Sequence, residues 1–312
     1  MTAAETEIWV SAADFRAIFD EVCTWDRWGD ERGALNNLTA DRVAGAARLA
    51  TGGVTVTLSL PLRTKSGPDC PTPADQHMTM LPEEADDASR GLRFAKDYVG
   101  LDYHNPGHSH IDALCHVVYD GSIYGGTPSS SITAEGSQAE AIELLKDGLV
   151  GRGVLLDVPR LRGVPWLEPG EHVFSEDLEA AERAQGITVN AGDILLVRTG
   201  HARRLAEVGP WDTDGARAGL HPTTARFLAD RGVAALGSDG NNDTAPSTTE
   251  EVDFPIHVLA LNAIGIHLLD YLQFEDLVEC CEAERRWEFL FVGAPLRVAG
   301  GTGSPLNPIA IF

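Results

Sequence analysis

Apolar and polar positions along the chain change period several times, and each change marks an element. In SAADFRAIFDEVCTW (11–25), Phe15, Ile18, Phe19 and Val22 recur at helical spacing, with Ser11 placed to cap the helix and Asp14 three residues on. A second helix is expected after Thr39, ending near Gly52 and Gly53. VTVTLSL (54–60) alternates and reads as a strand. Residues 61–90 are rich in Pro, Asp and Glu and show no clear period, which reads as a long surface loop and a candidate lid. From there the pattern predicts a helix over 137–147, strand GVLLDV (153–158), a helix after Ser175, strand DILLVRT (193–199), a helix over 222–230 and strand VAALGS (233–238). An apolar segment 255–272, a helix over about 274–285 and strand WEFLFVG (287–293) follow. Such alternation predicts an α/β protein with an at least partly parallel sheet. The chain shows no repeat, low-complexity tract or linker, so the expectation is one domain over 1–312 with an N-terminal helical extension over about 1–52.

Composition narrows the function classes. Of the 312 residues 43% are hydrophobic, enough for a sizeable core. The longest apolar runs, such as 257–269, are interrupted by His or Asn and fall short of the ~20 residues a membrane helix needs. No N-terminal stretch has the three-part pattern of a secretory leader, so a soluble, cytoplasmic protein is expected. A formal charge of −23 repels phosphate backbones and anionic membranes, leaving small molecules as the expected partners. Cys23, Cys70, Cys115, Cys280 and Cys281 are odd in number and contain no C-x-x-C, so neither a disulfide framework nor a zinc knuckle is indicated.

The chemistry concentrates in YHNPGHSHIDALCH (103–116). Four of the ten histidines, His104, His108, His110 and His116, lie here with Asp112. In an extended chain His108, His110, Asp112 and His116 share one face, while Ile111, Ala113, Cys115 and Val117 share the other. His110 and Asp112 sit about 6.6 Å apart in Cα position, which suits two ligands of one ion. His116 lies roughly 13 Å along a straight strand from Asp112, a position for a general acid/base at the edge of the site. His108 is equally far, but Pro106 and Gly107 permit a bend that brings in either His108 or His104 as third ligand. Cys115 has the wrong parity and reads as a small buried hydrophobe.

HSHIDALCH resembles the signature of the cyclase family, which includes kynurenine formamidase and isatin hydrolase: His-x-Gly-Thr-His-x-Asp-x-Pro-x-His. His110, Asp112 and His116 match its second His, its Asp and its third His, and Ser109 stands at its Thr. The first His falls on Pro106 and the Pro on Leu114, so His108 or His104 must substitute as ligand. WGDERGALNNLT (28–39), LGSDGNND (236–243), FPIHVLALNAIGIHLLDYL (254–272) and GGTGSPLNPIAIF (300–312) resemble a longer branch of the family. The resemblance implies an α/β fold of the swivelling β/β/α type, a mixed, barrel-like sheet with surrounding helices. It implies a second metal position completed by His257 and Asp270, the latter where the family commonly has Glu one residue closer. It also implies zinc or manganese as cofactor and a homodimer or higher homo-oligomer, to which the apolar tail PLNPIAIF would contribute. His267 matches nothing in the family, and SDGNND (238–243) reads as a polar turn near the site.

A divalent ion brings the pKa of bound water to roughly 7 and polarises a carbonyl, and a nearby imidazole shuttles the proton. These parts suit hydrolysis of a formyl anilide, cyclic amide or lactone, the substrates the resemblance implies. No nucleophile elbow, dinucleotide loop or P-loop is present. Two other readings remain: a non-haem iron oxygenase using His110, Asp112 and a distant His, and a catalytically silent metal-binding protein. Trp25, Trp28, Phe94, Tyr98 and Tyr103 are candidates for an aromatic pocket or for core.

Overall fold

Nine strands form one mixed sheet in a computed structural model that describes residues 8–82 and 91–312. Their order is Thr55–Thr57, Ile309–Ile311, Glu288–Gly293, Leu149–Asp157, Ile194–Arg198, Ala235–Ser238, His267–Asp270, His110–Asp112 and Gly303–Pro305. The four strands from Leu149–Asp157 to His267–Asp270 run parallel, and the outer pairings are antiparallel. The tail fixes the curvature. It supplies the strand at one edge, Gly303–Pro305, and the strand next to the other edge, Ile309–Ile311. Seven strand spacings of about 4.8 Å separate these in a flat sheet, roughly 34 Å. Four residues of chain span at most about 14 Å. The sheet therefore curls into a half-barrel.

Both faces of the parallel strands are covered, which explains their continuous apolar runs. Val154, Leu156, Leu195, Val197, Leu236 and Leu268 face one core cluster, with Phe15, Ile18 and Phe19 from the helix Ala12–Val22. Leu155, Ile194, Leu196, Ala235 and Leu269 face the other, with Phe289, Phe291 and Phe312. The first helix begins as expected, with Ser11 Oγ accepting from the Asp14 amide at 3.1 Å. The second, Ala40–Ala47, starts after Thr39. Helices Ser175–Gln185, Thr224–Arg231 and Glu275–Glu284 and the expected strands fall where the pattern put them. Among the described residues no helix is long and apolar enough to cross a membrane.

Three expectations need correction. The helix over 137–147 is replaced by a short strand Gly136–Ser137 and a single tight turn Ile142–Leu145. Ser137 Oγ bonds the backbone of Ala139, and Glu140 takes a left-handed φ of 52° that no helix accommodates. The expected loop 61–90 contains a strand, Asp75–Met80, paired in a hairpin with Lys96–Gly100; its residues 83–90 lie outside the described residues, as do residues 1–7 of the N-terminal extension. The strand through the histidines is only His110–Asp112, and the chain turns tightly over Leu114–His116. The straight 13 Å separation of His116 from Asp112 therefore does not occur.

Candidate functional site

His110 and Asp112 point the same way because Ile111, buried between them, faces the core. Asp270 lies directly opposite His110 in the antiparallel register and so shares that face. The segment 255–264 brings a fourth group: a helical turn Pro255–His257 continues into the wider turns of Val258–Ile264, and His257 projects toward the strand pair. His104 arrives from the preceding loop. Its ring packs over Gly303, where an added Cβ would meet Ile111 O at 2.5 Å and His104 Cε1 at 2.8 Å.

Two groups of side chains share one carboxylate. His104, His110 and Asp112 form the first, and Asp112, His257 and Asp270 the second, with ligand-type atoms within 4.8 Å of one another in each. Asp112 Oδ1 is 2.9 Å from His104 Nδ1 and 3.6 Å from His110 Nε2. Asp112 Oδ2 is 3.5 Å from His257 Nε2, which is 3.3 Å from Asp270 Oδ2. Asp112 is wholly buried, yet neither of its oxygens makes an aligned hydrogen bond. A buried carboxylate left in this state asks for a cation.

The three imidazoles grouped with Asp112 are each held from behind. His104 Nε2 is hydrogen-bonded to Thr302 Oγ1 at 3.1 Å. His110 Nδ1 donates to the His108 carbonyl at 2.8 Å. His257 Nδ1 donates to Asp243 Oδ2 at 2.6 Å. Such contacts leave the other nitrogen of each ring, His104 Nδ1, His110 Nε2 and His257 Nε2, directed at the shared carboxylate, the usual arrangement behind histidine ligands. The residues present thus fit a divalent cation in number, type and orientation. His108 is in neither group; of the two candidates for third ligand, the structure groups His104 with His110 and Asp112. Burial lowers the His108 pKa.

His116 lies flat against His104, ring centroids 3.9 Å apart and planes within 4°, with His257 at 6.4 Å. Burial pushes its pKa down to about 4 against the pull of Asp112. For Asp112, burial opposes the charge, and the imidazoles of His116, His104, His257 and His110 overcome it and hold the carboxyl well below the usual range. For His257, burial again opposes the charge, while Asp270 and the bonds to Asp112 and Asp243 raise its pKa well above that of an ordinary histidine.

The cluster opens into a pocket of about 560 Å³ whose lining includes His104, His110, His116, His257, Asp270 and Phe254. Of the expected aromatic lining, Tyr103 packs against His104 with ring centroids 4.6 Å apart and planes tilted by 48°, whereas Phe94 and Tyr98 are exposed on the hairpin side. Sequence reasoning passed over Thr302 and gave no role to His267, whose Nδ1 donates to the Asp112 carbonyl at 2.8 Å. It also read Asn241, Asn242 and Asp243 only as a turn, although their side chains hold Asp270 and His257.

A crystal structure of a novel cyclase matches with a TM-score of 0.84 and 29% identity over 94% of this chain and 99% of that one. An isatin hydrolase bound to the product analogue thioisatinate matches at 0.60 and 19%, over 89% and 97% of the two chains. Isatin hydrolase A from Ralstonia solanacearum matches at 0.58 and 20%, over 87% and 97%. Among curated proteins no significant match is found. The family model described by the name Cyclase matches residues 56–242, a stretch holding His104, His110, Asp112 and His116 but ending before His257 and Asp270. On that match, which spans more than half its length, the chain belongs to the Cyclase family.

Proposed function

We propose that the protein is a metal-dependent hydrolase that opens an amide or lactone carbonyl of a small molecule: a formyl anilide, a cyclic amide or a lactone. The observation that carries this reading is the buried Asp112 carboxylate, without an aligned hydrogen bond, between imidazoles each fixed from behind. His104, His110 and Asp112 would hold one divalent ion, and Asp112, His257 and Asp270 are placed for a second. When bound, zinc or manganese lowers the pKa of coordinated water and polarises a carbonyl. His116, at the pocket wall, takes a proton from the attacking water and returns it to the leaving amine or alkoxide. Phe254, Val117 and Val258 give the pocket an apolar side that excludes water from the reacting carbonyl.

A ferrous oxygenase would employ His110, Asp112 and one distant His, and leave the remaining imidazoles of the cluster, His116 among them, without work. Elemental analysis of wild type and Asp112→Ala, with a screen over formyl anilides, isatin-like rings and lactones, tests the reading. The wild type is expected to hold zinc or manganese and hydrolyse one of these classes; Asp112→Ala loses both. Equal metal content in the two proteins, or substrate turnover that consumes oxygen, would overturn it.

A further inference from the structure

The turn Ser238–Asp243 packs three consecutive polar side chains against the distal half of the site. Asn241 Nδ2 donates to Asp270 Oδ2 at 2.9 Å, and Asn242 Nδ2 donates to Asp270 Oδ1 at 2.5 Å. Asn242 reaches this position from a left-handed φ of 59°, a conformation Asn tolerates better than most residues, and its amide also donates to the Leu269 carbonyl at 3.1 Å. Asp243 is wholly buried. Its Oδ1 accepts from the Ile256 amide at 2.6 Å, and its Oδ2 accepts from the His257 amide at 3.1 Å and from His257 Nδ1 at 2.6 Å. One carboxylate thus fixes both the start of the helical turn that carries His257 and the rotation of the His257 ring.

We infer that Asn241, Asn242 and Asp243 are positioning residues: the asparagines hold Asp270, and Asp243 fixes the His257 ring so that Nε2 is directed toward Asp112 and Asp270. This rests on the metal-dependent reading above. A carboxylate in this place accepts from all three donors at once. An amide cannot, because whichever way it turns its NH2 group meets an N–H. If the amide nitrogen faces the ring, Nδ1 must accept and the proton moves to Nε2, the atom that faces the cluster.

The same turn supplies a matched control. Asp239 is also wholly buried, and it accepts from Thr199 N, Thr199 Oγ1, Gly200 N and His201 N at 2.7, 2.8, 2.8 and 2.9 Å. It ties the turn to the helix His201–Val208 and touches none of the clustered side chains. Asp239→Asn therefore weakens the tie to that helix while keeping the Asp243 carboxylate behind His257.

The probe is cobalt(II), whose visible absorption reports ligand geometry, titrated into wild type, Asp243→Asn and Asp239→Asn with a competing chelator. Near-UV circular dichroism and thermal melting in EDTA establish that each variant is folded. Asp243→Asn is expected to bind cobalt about 10–100-fold more weakly with an altered spectrum, the size typical of losing a partner behind a ligand. Asp239→Asn is expected to melt earlier but to keep the wild-type spectrum and affinity. Unchanged affinity and spectrum in Asp243→Asn, or an equal loss in Asp239→Asn, overturns the positioning role alone. A wild type that binds no cobalt overturns the metal reading and this inference together.

Discussion

At the scale of single residues, the site is defined less by which side chains approach Asp112 than by what stands behind them. Thr302, the His108 carbonyl and Asp243 each occupy the far nitrogen of one imidazole. His116 differs, since it is placed by stacking on His104. A stacked ring is free to exchange a proton without moving a ligand, so His116→Ala is expected to retain its metal and its fold while losing turnover by about 10²–10⁴. Metal content, circular dichroism and turnover measured on the same preparation check this. If His116→Ala comes out empty of metal, His116 is a ligand and the proton carrier must be sought elsewhere, with His257 the next candidate. The period of two along the strand made His110 and Asp112 legible as a pair, because their shared face depends only on local geometry. It misplaced His116, since the tight turn after Ala113 leaves no trace in parity. The choice between His104 and His108 was not legible either. It depends on Thr302 and Gly303, almost two hundred residues away in the chain.

At the scale of elements, the parallel strands were readable because burial on both faces writes them as apolar runs. The segment 137–147 was not, and Glu140 shows why. Its carboxyl is turned inward, where Oε1 accepts from Thr127 Oγ1 at 2.8 Å and Oε2 is buried with no partner. Helical spacing puts Glu on a wet face; tertiary packing draws this one into the interior. Burial raises its pKa to about 7 against the bond from Thr127. The folded chain therefore holds this proton more tightly than the unfolded chain, whose Glu titrates near its usual value of 4.5. The stabilising contribution is complete below pH 4.5 and is lost as pH rises through about 7. Between pH 5 and 8 wild type is expected to lose on the order of 2 kcal/mol relative to Glu140→Gln, which carries no such proton. Urea unfolding of both proteins at the two pH values measures the difference. Parallel pH dependence in the two would show that Glu140 is ionised throughout.

At the scale of the whole molecule, the tail is built into the sheet while the hairpin stands exposed. The apolar tail looked available for a partner, yet Ile309–Ile311 is an inner strand of the curled sheet and Phe312 is fully buried, so its apolar surface is used within the chain. The hairpin of Asp75–Met80 and Lys96–Gly100, which looked like a polar loop, exposes Met78, Leu81, Leu92, Phe94, Tyr98 and Val99. A two-stranded hairpin exposed on both faces is marginal in water. We propose that it packs against a second copy of the chain, consistent with the homodimer or higher homo-oligomer that the family resemblance implies. A charge of −23 on each copy opposes association, so apolar contact must supply the attraction, and added salt is expected to strengthen it by screening the repulsion. The double variant Phe94→Glu/Tyr98→Glu puts two further negative charges into that contact and is expected to sediment as the 33.4 kDa protomer at low micromolar concentration, while the wild type sediments as a larger species. If the wild type is itself a 33.4 kDa species under those conditions, in low and in high salt alike, the hairpin faces solvent and the association fails as a property of this chain.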